Sequence, residues 1–241
     1  MSAASYLGAK NGSGVYQAII NLMPPHDTYI EAFLGTGAVM RRKGPASRSI
    51  GIDKNQECID GFVYASSSGI DAADYVVPEL VLGDAFSYIA NFDYAAAGKT
   101  LIYCDPPYLH STRTSKHRYK FEITEQEHKE LLQIIKAVPA LVILSGYRND
   151  IYEQELSGWW SMDFQAMSHG GVRTETVWCN FEPGKVHYHR YAGKNATDRQ
   201  RIQRKAARWA KNFAELPPPE QQAILAALLS AGDKTQPQGD L

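Results

Sequence analysis

Seven short apolar runs, most of them separated by stretches of helical period, limit what this chain can fold into more than any other feature. The runs are Thr28–Phe33, Arg48–Asp53, Glu79–Gly83, Thr100–Asp105, Ala140–Ser145, Met162–Met167 and Thr174–Phe181. Several are apolar almost throughout, as strands buried on both faces of a parallel sheet must be. The clearest helix opens on Thr124-Glu125-Gln126-Glu127, a capping box in which the first and fourth side chains satisfy each other's backbone N–H groups, and it stops before Pro139. Strand–helix alternation with short turns predicts an open α/β sheet. The last two runs have no helix-length connection between them, so they are expected to pair antiparallel. With 241 residues there is room for one large domain, or one domain with an appendage.

Charge divides the chain in the same place as pattern does. The totals, 25 Lys+Arg against 26 Asp+Glu, nearly cancel. Between Lys185 and Lys211, however, nine basic residues face one acid, Asp198, which leaves 16 basic and 25 acidic residues elsewhere. The expected division is a body over 1–184 and a basic, helical extension over 185–241, with Pro217-Pro218-Pro219 separating two C-terminal helices. Such asymmetry points to an anionic partner. No run is long and apolar enough for a membrane span, and the start lacks a signal-peptide core. Cys58, Cys104 and Cys179 are too widely spaced for a zinc knuckle or disulfide framework, which fits a reducing, cytoplasmic setting.

Two segments carry chemistry. Ile30-Glu31-Ala32-Phe33-Leu34-Gly35-Thr36-Gly37 reads as a strand entering a Gly-x-Gly turn and then a helix, a place where backbone can approach a cofactor. Asp53 ends the next strand, where a carboxylate accepts from ribose hydroxyls. Met40 stands where the dinucleotide fingerprint has its third glycine, which favours a nucleoside over a pyrophosphate ligand. Taken alone, the motif describes an ordinary strand–helix turn equally well. The second segment, Asp105-Pro106-Pro107-Tyr108, follows the apolar strand Thr100–Cys104, and ligands of open α/β sheets bind beyond strand carboxyl ends. Two prolines fix φ at successive positions and hold Asp105 extended. The Asp105 carboxylate and the Pro106 carbonyl can accept the two N–H bonds of an exocyclic amine, with the Tyr108 ring stacking on the base.

In this order the motifs resemble those of the Dam-like (D12 class) DNA adenine-N6 methyltransferases, in particular the small phage-type members. Tyr6-Leu7-Gly8-Ala9-Lys10 resembles their N-terminal motif and Phe33–Gly37 their cofactor loop, while Asp105–Tyr108 resembles their catalytic tetrapeptide. Gly83-Asp84-Ala85-Phe86 and Glu175–Phe181 also match, so the likeness covers about residues 5–183. It implies a Rossmann-like methyltransferase fold, with a mostly parallel seven-stranded sheet and an antiparallel final strand. It also implies S-adenosylmethionine as cofactor: Tyr6 and Lys10 at its methionine end, Phe33 near the sulfonium, Gly35 and Gly37 in the loop, Asp53 at the ribose, Asp84 at the adenine, and Asp105 between cofactor and substrate. Methyl transfer from a sulfonium is a direct displacement, so Asp105 is read as an acceptor and orienter rather than a base. From its neighbours Gly8, Gly12 and Gly14 alone, Lys10 reads as a solvated lysine. Dam-like enzymes carry a sizeable recognition insertion between the regions matching Asp53 and Gly83. Only residues 54–82 lie there in this chain, so the expected specificity is relaxed or short.

The implied partner is double-stranded DNA with a flipped adenine. Two basic segments suit it. One is the loop after Tyr108, with Arg113, Lys116, Arg118 and Lys120. The other is the helix after Thr197-Asp198, where Arg201, Arg204, Lys205, Arg208 and Lys211 share one face and Ile202, Ala206, Trp209 and Phe213 another, the apolar stripe being expected to dock on the protein or a partner. His187-Tyr188-His189 has no supporting ligand cluster, so no metal is expected. Other readings stay open: the same chemistry on RNA adenine or protein glutamine, a nucleotide-dependent oxidoreductase, which leaves Asp105–Tyr108 without a role, or a non-catalytic DNA-binding module. Oligomeric state is not legible.

Overall fold

The computed structural model describes residue 10 and residues 14–66, 77–109, 120–168, 171–184 and 191–233. The chain forms two compact units, Met1–Tyr191 and Ala192–Leu241. In the first, the elements run α1 (Val15–Leu22), β1 (Thr28–Ala32), β2 (Arg48–Asp53), α2 (Gln56–Ser66), β3 (Glu79–Leu82), α3 (Ala85–Ala90), β4 (Thr100–Cys104), α4 (Glu125–Ala137), β5 (Leu141–Gly146), α5 (Asp150–Glu155), β6 (Trp160–Ser168) and β7 (Gly171–Cys179). The seven strands form one sheet in the order β3-β2-β1-β4-β5-β7-β6. β7 alone runs against its neighbours, pairing antiparallel with both β5 and β6. This is the mostly parallel seven-stranded sheet with an antiparallel final strand.

The strands are apolar on both faces because helices cover both. Side chains alternate across a strand, so Tyr29, Leu101 and Ile143 pack with Ile19 and Ile20 of α1 and Phe62 of α2. Their neighbours Ile30, Ile102 and Leu144 pack with Ile89 of α3, Leu131 and Ile135 of α4 and Tyr152 of α5. α4 starts where the capping box places it: Thr124 Oγ1 accepts from Glu127 N at 3.2 Å, and Glu127 Oε2 accepts from Thr124 N at 2.6 Å.

Three details depart from the sequence reading. The helix expected after Gly37 is a run of turns through Arg42. Pro45 leaves little room for one, and the Arg41 and Arg42 side chains donate to the Thr36, Phe62 and Ala38 carbonyls instead of projecting outward. The final hairpin is longer and displaced: mutual pairing carries it from Trp160↔Cys179 to Ser168↔Gly171, so strand extends into polar residues that no apolar run marks. In the second unit α6 spans Ala196–Ala214 and starts before Thr197-Asp198, because Asn195 Oδ1 accepts from Asp198 N at 2.9 Å and so caps the helix.

α7 spans Pro218–Asp233. No residue of α6 is buried: on its apolar stripe Trp209 is 65% exposed, while Ile202 and Phe213 are half-buried. No helix of the described residues is long and apolar enough to cross a membrane.

Candidate active site

Strand order reverses beside β1: the chain winds outward through β2 and β3, then returns to place β4 on the other side of β1. At such a switch point the loops leaving two adjacent strands diverge and open a crevice at their carboxyl ends. The loops here are Phe33–Gly37, after β1, and Asp105–Tyr108, after β4. The two motifs, some 70 residues apart in sequence, therefore meet at one cleft because β1 pairs with β4 in register Ala32↔Cys104.

The β1 loop is held in an unusual conformation. Phe33 has φ 69°, and Gly35 and Gly37 have φ 52° and 61°. A left-handed Phe costs on the order of 1–3 kcal/mol and persists only where surroundings fix it. Leu34 N donates to Ile52 O at 2.8 Å, and Gly35 N donates to Asp53 Oδ2 at 2.8 Å, tying the loop to the end of β2. A Cβ at Gly37 would collide with the Phe62 ring, so the close approach of loop and α2 requires glycine there. Asp53 Oδ1 accepts from Asn55 N at 2.8 Å. Each Asp53 oxygen thus takes one backbone N–H and keeps a second lone pair for a ligand.

On the β4 side, Lys10 reaches into the sheet end. It is 5% exposed, and its Nζ lies 2.9 Å from Asp105 Oδ1 and 2.9 Å from Glu175 Oε2 of β7. It also donates to the Tyr108 hydroxyl. Burial alone would lower its pKa, but the Asp105 and Glu175 carboxylates outweigh it and hold the ammonium protonated. Ser145 Oγ, at the end of β5, donates to Asp105 Oδ1 at 2.9 Å, and Tyr103 OH lies 2.9 Å from Ser145 Oγ. The Tyr108 ring packs against Tyr147, centroids 4.4 Å apart.

Beside these groups lies one cleft of about 890 Å³ of empty space, counted to its open mouth; Tyr108, Ser145, Tyr147 and Glu175 stand behind its lining. Lys10, Phe33, Gly35, Asp53, Asp105, Pro106 and Pro107 all border it. Gly37 shapes the loop from behind. Asp84 does not line the cleft, although Gly83 and Ala85 do; its carboxylate caps α3 through Ser87 N and pairs with Lys54 Nζ at 2.7 Å. Tyr6, Arg113, Lys116, Arg118 and His187–His189 lie outside the described residues. Lys120 is described, and its Nζ pairs with Glu57 Oε1 at 3.2 Å. Arg201 pairs with Asp198 at 2.8 Å, and Lys211 reaches Glu215 at 3.9 Å, while Arg204, Lys205 and Arg208 are exposed on α6. Among the described residues no cluster of His, Cys, Asp and Glu is arranged for a metal ion.

Sequence reasoning passed over Glu31, Ser145 and Tyr147, and gave Glu175 no role of its own. Glu31 lines the floor of the cleft at 3% exposure, accepting from Tyr29 OH at 2.9 Å. Burial pushes its carboxyl up to about 8, and burial likewise pushes the Lys43 ammonium down to about 8. The available signal was a single carboxylate inside an otherwise apolar strand.

Comparison with known families falls on the same region. Residues 80–172, from β3 through the Asp-Pro-Pro-Tyr segment into β7, match the family of D12 class N6 adenine-specific DNA methyltransferases. That segment is therefore similar to the D12-class methyltransferases. No curated protein sequence matches the chain. Among solved structures it is similar to an S-adenosylmethionine-dependent methyltransferase from Agrobacterium tumefaciens (15% identity, TM-score 0.45, 70% of this chain and 60% of that one). It is also similar to a magnesium protoporphyrin IX methyltransferase from Synechocystis, solved with bound cofactor (12%, 0.44, 71% and 79%). A third is an rRNA methylase from Streptococcus thermophilus (11%, 0.42, 68% and 93%).

The cleft fits S-adenosylmethionine, the cofactor that the sequence resemblance implies. It offers lone pairs of a fixed carboxylate, Asp53, for ribose hydroxyls, a backbone loop bare of side chains at Gly35, and an aromatic ring at Phe33. An aromatic face stabilises a nearby cation, as a sulfonium is.

Proposed function

We propose that this protein is an S-adenosylmethionine-dependent methyltransferase that modifies the exocyclic N6 amine of adenine in double-stranded DNA, with the target base flipped into the cleft beside Asp105-Pro106-Pro107-Tyr108. The observation that carries the reading is Asp105: a carboxylate at the switch point, anchored on Oδ1 and bordering the same cleft as the glycine loop. The N6 lone pair of adenine is delocalised into the ring. Two acceptors, Asp105 and the Pro106 carbonyl, engage its two N–H bonds and turn the lone pair toward the cofactor side. S-adenosylmethionine would supply an electrophilic methyl group, its S–CH₃ bond breaking as the N–CH₃ bond forms and leaving a neutral thioether, after which the methylated nitrogen loses one of its protons along the hydrogen bond to Asp105 and on to solvent. The protein's contribution is alignment, which is worth several kcal/mol when reacting atoms are held near contact distance. Tyr108, backed by Tyr147, forms an aromatic wall for the base, and stacking offsets part of the cost of extrusion. The same reading puts Tyr6 and Lys10 at the methionine end of the cofactor site and Asp84 beside its adenine end, where Gly83 and Ala85 line the cleft and the Asp84 carboxylate itself caps α3.

The experiment is expression in cells that lack adenine methylation, followed by modification-sensitive sequencing. N6-methyladenine in short, degenerate DNA contexts is expected. Marks confined to RNA, or none despite soluble, cofactor-bound protein, overturn the DNA reading.

The basic extension of 185–241 and the segment Arg113–Lys120 supply the contacts to DNA phosphates. The ridge of Arg201, Arg204, Lys205, Arg208 and Lys211 follows one face of α6. With about six phosphates contacted, log K for DNA is expected to fall with log salt at a slope near −5, and Ala at positions 204, 205 and 208 should reduce that slope by about 3. Fluorescence anisotropy across a salt series measures both. A wild-type slope near zero rules the ridge out.

A further inference from the structure

We infer that Ser145 and Glu175 are positioning residues of this site: they fix Asp105 through one carboxylate oxygen, so that the other is presented to the target amine. The inference rests on the proposed methyl transfer to an amine and adds the machinery behind Asp105.

Counting donors makes the case. Asp105 Oδ1 accepts from Ser145 Oγ at 2.9 Å and from Lys10 Nζ at 2.9 Å. A carboxylate oxygen has two lone pairs, so Oδ1 is full. Both contacts among the described residues fall on that oxygen, which leaves Oδ2 as the acceptor available to a substrate. Ser145 has one hydroxyl proton and spends it on Asp105. The bond to Tyr103, 2.9 Å, is therefore donated by the Tyr103 hydroxyl, whose phenol burial keeps protonated.

Lys10 has three N–H bonds, taken by Asp105 Oδ1, Glu175 Oε2 at 2.9 Å and the Tyr108 hydroxyl. Glu175 thereby fixes the ammonium at Oδ1 and takes up a donor that would otherwise be free to swing to Oδ2. Ser145 is fully buried and Glu175 is 7% exposed. Their strands are adjacent, with Ser145 opposite Val177, so the two residues brace the same carboxylate from β5 and β7. Neither touches the site where substrate binds.

The two braces act on the Asp105 charge in opposite senses. Burial raises the Asp105 pKa, Lys10 lowers it, Glu175 raises it as a like charge, and the Ser145 hydrogen bond lowers it. The other titratable groups facing it are Glu31 of β1, Tyr103 and Cys104 of β4 and Tyr152 of α5. Burial keeps the two phenols and the thiol protonated and sets Glu31 near 8.

The test uses the full chain labelled with carboxyl-¹³C aspartate, with the Asp105 signal assigned by its loss in Asp105→Asn. Ser145→Ala should move the Asp105 titration midpoint up and Glu175→Gln should move it down. In methylation assays each should lower kcat, Ser145→Ala by about 50-fold, a loss of the size that misalignment alone produces. KM for DNA and cofactor affinity by calorimetry should stay within about twofold. A packing role would lower kcat without moving the midpoints in opposite directions. Midpoints identical in all three proteins, or kcat unchanged in both variants, overturn the inference. If the wild type transfers no methyl group to DNA, the substrate reading fails while the midpoints still decide the positioning.

Discussion

Asp105→Ala is expected to lower kcat by about 10³-fold while weakening cofactor binding by no more than about tenfold. Alanine removes the acceptor that orients the amine, and loss of one preorganised hydrogen-bonding group in a water-poor site costs 10²–10³-fold or more. The fold should tolerate it. Lys10 keeps Glu175 as its counter-ion at 2.9 Å, so one buried cation then faces one buried anion in place of two. Asp105→Asn separates orientation from charge. Its carbonyl oxygen will turn to the donors Lys10 and Ser145, which leaves the amide NH₂ facing the cleft where the target amine also brings N–H bonds. Donor against donor cannot align the substrate, so Asn should be as inactive as Ala. Single-turnover methyl transfer, with calorimetry for the cofactor, measures both. An Asn variant with more than about a tenth of wild-type rate would contradict the assignment of Oδ2 to the substrate.

What the sequence revealed follows from which interactions are local. β2 was legible at both ends because an apolar run bounded by polar residues reports its own burial. α4 was legible to the residue because a capping box is a contact between positions three apart. The turn after Gly37 was misread as a helix because what cancels the helix is distant: the Phe62 carbonyl that Arg41 reaches and the Phe62 ring that fills the space behind Gly37. β7 was misplaced at both ends because its polar first half, Gly171–Thr174, is strand only through pairing with β6.

The site divides the same way. Asp105, Pro106 and Pro107 announce themselves because adjacent prolines after an apolar strand have few other uses. Lys10 does not: in a glycine-rich stretch a lysine is ordinarily solvated, and only its meeting with residues 95 and 165 positions away makes it a buried cation. Ser145 was hidden for the opposite reason, as a small polar residue closing a strand that seemed fully explained by its apolar neighbours. Asp84 carried a motif but proves to cap α3, which shows how a carboxylate before a helix satisfies a local need first.

Lys10→Met should be the most damaging single change to stability. Lys10 is the counter-ion of both Asp105 and Glu175, and removing one partner from a buried ionic cluster costs about 3–5 kcal/mol because the remaining charges are stranded. The loss must depend on pH. Without the ammonium, burial and the neighbouring carboxylate raise the Asp105 pKa in the folded state above its unfolded value. The folded variant then binds more protons than the unfolded chain between those two values, so its stability falls as pH rises through that window. Wild type shows the same trend to a smaller degree, because its Asp105 pKa is already raised with Lys10 beside it, while the raised Lys10 pKa contributes stability that is lost only in strong alkali. Urea unfolding at pH 5 and pH 8 should therefore show the deficit of the variant growing with pH. Its activity must move the other way, because only ionised Asp105 accepts from the amine without a competing proton. Residual methyl transfer should rise with pH over the range where the variant becomes less stable. A deficit independent of pH would mean that Lys10 stabilises the fold by packing, and that the two carboxylates do not depend on it for their charge.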